Sequence, residues 1–295
     1  MDSIQQYQSS LRELFGTDHP VVWVTGSAAP RVGREIAWRF ARHGYRIVLH
    51  GQRAVQEGEQ LIHHWNSLGH EAMLITGPID RDECVDRWID QIQQRFGRLD
   101  VFVNSAAIWE PKALEETTVQ DLERHWRSNT LGTFLCAQKA GLWMANQPSG
   151  GAIVLVSDWA VERPYADFAA YFASKGSIAT IMRALAVELA LRNPRIRVNG
   201  VLPGPVLLSP EISEELADKI RQQSLLKRDG TPEHLAKAIQ FLAEHEFLTG
   251  VMVPVDGGRS IFAGVPSSDA LAHPDYQMRV SALATSNPPG ISRNS

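Results

Sequence analysis

The sequence predicts one doubly wound parallel sheet, an α/β fold with about seven strands and helices on both faces. Two observations predict it. Short runs are apolar throughout, as strands covered on both faces must be, and each is followed by a segment with helical spacing. Val21–Thr25 is the first such strand and ends at Gly26. Gly33–His43 is its helix, with Ile36 and Phe40 four apart on one face and Gly44 as a stop. The strand Arg46–Leu49 precedes the helix Glu57–Leu68, which Gly69 ends. The strand Ala72–Ile75 precedes the helix Asp82–Phe96, ended by Gly97. Leu99–Val103 is nearly all apolar, and a long helix follows over Leu122–Ala145. The strand Ala152–Val156 leads to the helix Ala170–Leu191, stopped by Asn193-Pro194. Arg197–Leu202, a helix over Pro232–Ala243 and the strand Val251–Val255 complete the alternation.

Around this region, 20–262, the chain changes character. Residues 1–19 are polar and read as a loose arm or a short helix. Residues 263–295 are rich in Ser, Pro, Asn and Gly and read as a mobile tail. The 295 residues are 44% hydrophobic, enough for a large core, which excludes a wholly disordered chain. A net charge of −4 leaves no basic stripe for nucleic acid. No run reaches the roughly 20 apolar residues of a membrane span, and Met1–Phe15 is no signal peptide. Cys84 and Cys136 form no CxxC, and His63-His64 lacks partners, so no metal site is expected. The two cysteines read instead as buried apolar thiols in a reducing, cytoplasmic setting.

Doubly wound sheets bind ligands at the carboxyl ends of their strands, so chemistry is sought there. After the first strand, Gly26, Ser27, Arg31, Val32 and Gly33 form a turn into a helix. Small residues let backbone approach a pyrophosphate, and the helix N-terminus offers N–H groups to it. After the second strand comes His50-Gly51-Gln52-Arg53, with no acid between Arg46 and Gln56. An NAD site places an acid there for the ribose hydroxyl, whereas a guanidinium suits a 2′-phosphate. On this Rossmann-type sheet, Arg31 and Arg53 therefore favour NADP(H). Tyr171 and Lys175 sit four apart on one helical face. An ammonium near a phenol lowers its pKa and makes tyrosine a general acid.

Taken together, the order and spacing resemble the short-chain dehydrogenase/reductases. The match runs through Thr25-Gly26, Asn104-Ser105-Ala106-Ala107, Asn129, Tyr171, Lys175, Pro203-Gly204 and Asp256-Gly257-Gly258. The resemblance implies Tyr171 as acid, Lys175 lowering its pKa and holding the nicotinamide ribose, and Asn129 supporting a proton-relay water. It places Asn104 and Ala106 beside the cofactor, Pro203, Gly204 and Val206 against the nicotinamide, and Asp80 near adenine if its loop shifts. Most of the family carries serine thirteen residues before the tyrosine; here Asp158 stands there, with Ser157 one place earlier.

That departure is similar to pteridine reductases and dihydromonapterin reductases. The Arg31-x-Gly33 loop, the His50-x-x-Arg53 pattern and Trp109 after the Asn-x-Ala motif agree with it. A flat heterocycle could lie against Trp109, with Trp159 nearby and Asp158 serving a ring nitrogen. Alternatively Asp158 caps its loop and Ser157 does the usual work. The leading expectation is NADPH-dependent reduction of a pterin-like C=N or C=O. A 3-oxoacyl thioester or general carbonyl reductase is the alternative, and a non-catalytic NADPH-binding regulator the second. The segment 207–226 reads as a helical flap over substrate. Trp23, Trp38, Trp65, Trp88, Trp126 and Trp143 read as core or interface, and a homo-oligomer, tetramer or dimer, is implied by resemblance.

Overall fold

Alternation within the strands sends side chains to opposite faces of one sheet. The strands are β1 (Val21–Thr25), β2 (Arg46–Gly51), β3 (Ala72–Thr76), β4 (Val101–Asn104), β5 (Gly151–Val156), β6 (Ile196–Pro203) and β7 (Met252–Val255). They form a 7-stranded sheet in the order 3-2-1-4-5-6-7, with every pairing parallel. The computed structural model describes residues 3–208 and 212–263, with side chains from Gln5 onward. The chain divides into one unit, Met1–Ser260, and a second, Ile261–Ser295. Of the tail expected over 263–295, all but residue 263 lies outside the described residues, as do 209–211 of the expected flap.

On one face, Val22 and Val24 of β1 and Ile47 and Leu49 of β2 meet two helices, α2 (Val32–Arg42) and α9 (Pro232–Glu244). On the other, Trp23, Val48, Phe102 and Ile153 meet α4 (Asp82–Phe96), α6 (Gly132–Ala145) and α7 (Ala169–Ala190). Trp23 packs 4.6 Å from Phe102 and 6.1 Å from Trp88, centroid to centroid. Fully burying side chains of this kind contributes about 1.5–3 kcal/mol each. The remaining helices are α1 (Ser3–Phe15), α3 (Val55–Ser67), α5 (Val119–His125) and α8 (Glu214–Gln222).

Several expectations change. Residues 1–19 include a helix that joins the core: Leu11 and Phe15 are buried, and the Tyr7 hydroxyl donates to Glu244 at 2.5 Å. The long helix expected over 122–145 starts earlier and is interrupted. A capping box between Thr118 and Asp121 opens α5, and Trp126–Leu131 is a π-helical turn before α6. Of the tryptophans expected in core or interface, Trp126 is exposed, which leaves it the interface half of that expectation. The topology reverses between β1 and β4, where Thr25 lies beside Asn104. The carboxyl ends of β1, β4, β5 and β6 therefore converge on one crevice.

Candidate active site

Two glycines shape the loop from β1 into α2. Gly26 has φ +67°, and a Cβ there would stand 2.9 Å from the Ala106 Cα. A Cβ on Gly33 would stand 2.6 Å from the Gly26 carbonyl oxygen. Backbone therefore approaches backbone more closely than any side chain permits. Arg31 is the N-cap residue of α2 and gives no side-chain cap, which leaves the first-turn N–H groups to an outside acceptor. Val32 is half-buried, and Arg31 and Arg53 are exposed at the ends of α2 and β2. Among the described residues neither arginine pairs with a carboxylate. Asp80 is half-buried after β3. A glycine-lined turn and a helix start without a side-chain cap fit the pyrophosphate of a nicotinamide dinucleotide.

Three residues expected to touch the cofactor face inward instead. Ser27 Oγ donates to the Val24 carbonyl at 2.7 Å and accepts from His50 N at 3.1 Å. Asn104 accepts from Thr25 Oγ1 at 2.9 Å and donates to Thr133 Oγ1 at 2.7 Å. His50 accepts from Gly26 N at 3.1 Å through Nδ1, so its Nε2 carries the proton and donates to the Gly77 carbonyl at 2.9 Å. Each side chain is buried and hydrogen-bonded within the protein, so these side chains set the positions of the loops.

The His50 arrangement requires the neutral ring, and burial lowers its pKa from 6.5 to about 4. The folded state then binds fewer protons than the unfolded between those values. His50 thus contributes fully above pH 6.5, and that contribution of about 3 kcal/mol is lost as pH falls toward 4. Urea unfolding across this window is expected to show the loss, and His50→Gln to flatten it. Equal pH dependence in both proteins would remove His50 from that role.

The turn after β5 and the first turns of α7 carry the candidate reactive groups. Asp158 begins a short turn, Trp159–Val161, and its Oδ1 accepts from Ala160 N at 2.8 Å. Its Oδ2 accepts from the Tyr171 hydroxyl at 2.8 Å. Capping and contact with the tyrosine thus coexist in one carboxylate. Ser157 does not reach the phenol; its Oγ donates to the Lys175 carbonyl at 3.0 Å. Lys175 is buried, with Nζ donating to the Val156 carbonyl at 2.8 Å, and burial pulls its pKa down to about 8.

The expected lowering of the Tyr171 pKa is reversed. Burial raises it, and the adjacent Asp158 carboxylate opposes phenolate further. Burial also raises Asp158. Asn129, on the π-helical turn, accepts from Ile108 N at 2.8 Å and donates to Ile108 O at 3.0 Å and Ser174 Oγ at 2.9 Å. Its amide clamps the loop after β4 to α7 and makes no hydrogen bond to Tyr171 or Lys175.

Around this pair stands an aromatic wall. Trp109 is exposed, stacks on Phe168 at 4.7 Å and donates from Nε1 to the Tyr165 hydroxyl at 3.3 Å. Tyr165, Phe168 and Phe172 carry no motif and were not singled out by sequence. Trp159 lies under the Arg259 guanidinium, 4.6 Å from its ring centroid. Gly204 presses the end of β6 against the turn after β7: a Cβ there would stand 2.6 Å from Asp256 Cα. Pro203 closes β6 and Val206 is buried just beyond. Arg259 directly follows Asp256-Gly257-Gly258, so its position beside a motif was the available signal. Among the described residues no cluster of His, Cys, Asp or Glu is placed to hold a metal ion, and no helix is long and apolar enough to cross a membrane.

A family model described as enoyl-(acyl carrier protein) reductase matches residues 27–260. The BbsD subunit of (2S)-((R)-hydroxy(phenyl)methyl)succinyl-CoA dehydrogenase from Thauera aromatica is 32% identical, with 84% of this chain and 100% of that protein covered. The 3-oxoacyl-(acyl-carrier-protein) reductase FabG of Staphylococcus epidermidis is 31% identical over 80% of this chain and 96% of its own. A structure described as a gluconate dehydrogenase from Agrobacterium tumefaciens superposes with a TM-score of 0.76, at 25% identity, covering 82% of this chain and 96% of that one.

Proposed function

The chain belongs to the short-chain dehydrogenase/reductase family, and from that premise we propose that it is an NADPH-dependent reductase of a small, flat, pterin-like C=N or C=O substrate. The observation that carries this reading is the hydrogen bond from Tyr171 to Asp158. The bound nicotinamide supplies the hydride. Tyr171 holds its proton throughout the neutral range and gives it to the substrate atom that accepts it. An ionised Asp158 opposes the phenolate that this leaves behind. A protonated Asp158 removes that opposition and returns a proton to the phenol oxygen. Its raised pKa makes the protonated form more accessible, and a C=N substrate needs a proton at nitrogen.

Arg53 and Arg31 support the choice of NADPH. The kcat/KM for NADPH is expected to exceed that for NADH, and Arg53→Ala to lower the NADPH value about 10- to 100-fold while sparing NADH. A native preference for NADH overturns the cofactor assignment. A 3-oxoacyl thioester is the second reading, supported by the 31% identity to the Staphylococcus reductase. Against it, Ser157 is turned away from the phenol. NADPH oxidation measured with dihydropterins and with acetoacetyl thioesters separates the two. The buried free thiols Cys84 and Cys136 suit a reducing cytoplasm. Exposed Val119, Leu122, Trp126 and Val187 along α5 to α7 suit a homo-oligomer.

A further inference from the structure

Among the described residues, Arg259 stands near the Asp158 turn without an anionic partner. Its guanidinium carbon lies over the ring of Trp159, the residue next to Asp158, at 4.6 Å from the ring centroid. Nη1 donates to the Ile220 carbonyl at 3.0 Å and Nη2 donates to Gln223 Oε1, so the cation also touches the end of α8. The Nε–H is buried and has no acceptor. Among the described residues no carboxylate pairs with Arg259. The nearby Asp256 carboxylate is spent on the backbone, accepting from Gly258 N at 2.9 Å and Ser260 N at 2.7 Å. A second guanidinium, that of Arg163, donates to the Arg259 and Ser260 carbonyls at 3.3 and 3.1 Å.

The Arg163 side chain thus holds the backbone of the segment that carries Arg259. A buried donor left without an acceptor costs about 1–3 kcal/mol. Burial pulls the Arg259 pKa down, while the fields of Tyr165, Asp256 and Asp158 pull it up, so the cation lies within electrostatic reach of the site. The Tyr165 hydroxyl in turn accepts from Trp109, which links this cation to the aromatic wall.

We infer that Arg259 is a specificity-determining residue that binds a carboxylate on the substrate, so that, among flat C=N or C=O compounds, the enzyme prefers those that carry a carboxylate. A planar carboxylate matches a guanidinium in shape and charge. Its ring would lie toward Trp109 and Phe168. This inference rests on the reductase reading, and binding separates the failure of one from the failure of the other. The probes are 4-carboxybenzaldehyde and its neutral counterpart, methyl 4-formylbenzoate, titrated calorimetrically into the NADP+-loaded protein.

The carboxylate is expected to bind the native protein at least about tenfold more tightly than the ester, the scale of one charge-assisted hydrogen bond. Arg259→Gln is expected to bring the two within about twofold, and Arg259→Lys to keep part of the preference. Gln223→Ala cuts one tie to α8 but keeps the charge, and is expected to retain the preference. No preference in the native protein overturns the inference. So does an equal loss in Gln223→Ala, which would make Arg259 a fastener of α8 alone. Preferential binding without NADPH oxidation of either probe supports the carboxylate site and counts against the reductase reading.

Discussion

Tyr171→Phe is expected to lower NADPH-dependent kcat/KM by about 10²- to 10⁴-fold, the range of a lost general acid. NADPH affinity should stay within a few-fold of native. The ring remains packed beside Phe172, with centroids 5.3 Å apart, so the substitution removes an oxygen and little else. Asp158 loses the hydrogen bond that favours its charged form, and its pKa moves further up. Steady-state NADPH oxidation and a fluorescence titration of NADPH separate the two effects. Unchanged turnover would remove Tyr171 from the chemistry and revive a binding-only role for the protein.

Lys175→Met is expected to move stability and activity in opposite directions. Lys175 is fully enclosed and makes a hydrogen bond to Val156. Its pKa falls from 10.5 to about 8, so the charged form costs the fold about 3 kcal/mol. Below pH 8 both folded and unfolded states carry the proton, and the cost is complete. It eases as pH rises from about 8 toward 10.5, because the unfolded chain then binds more protons. Methionine removes that cost with a side chain of similar reach, so Tm at pH 7 should rise. Activity should fall about 100-fold or more, since Lys175 is the residue proposed to hold the nicotinamide ribose in place. A lower Tm would mean that the Val156 contact outweighs the burial of charge.

The sheet was legible because buried parallel strands are apolar throughout and glycines mark their helix ends. Asp82–Phe96 needed no adjustment, having Asp82 and Glu83 in its first turn and Gly97 at its end. The start of α5 was missed because apolar rhythm begins at Leu122, whereas the capping box at Thr118 sets the boundary. The π-helical turn that presents Asn129 has no local composition of its own, and the bonds from Asn129 to Ile108 and Ser174 join residues far apart in the chain. Helix α1 was half visible, since Tyr7, Leu11 and Phe15 fall four apart, but its Glu244 partner lies far along the chain.

Within the site, Asp158 could be flagged by position but not assigned a partner. Spacing alone gives Tyr171 and Lys175 a shared face, yet it does not reveal that Lys175 turns to Val156 while the carboxylate takes the phenol. His50, Asn104 and Ser27 show the same limit. A motif places a residue at a strand end, and only the surrounding hydrogen bonds decide whether its side chain faces a ligand or the core.

The most direct test of a proton-sharing Asp158–Tyr171 pair is the pH dependence of kcat/KM for NADPH-dependent reduction, native against Asp158→Ser. In the native protein the rate should fall as pH rises through the elevated Asp158 pKa, because the ionised carboxylate opposes loss of the Tyr171 proton. That limb should vanish in Asp158→Ser, with dihydropterin turnover reduced about 10-fold or more. A native profile flat through that range, or turnover retained or raised in Asp158→Ser, would make Asp158 a loop cap alone and the enzyme a general carbonyl reductase.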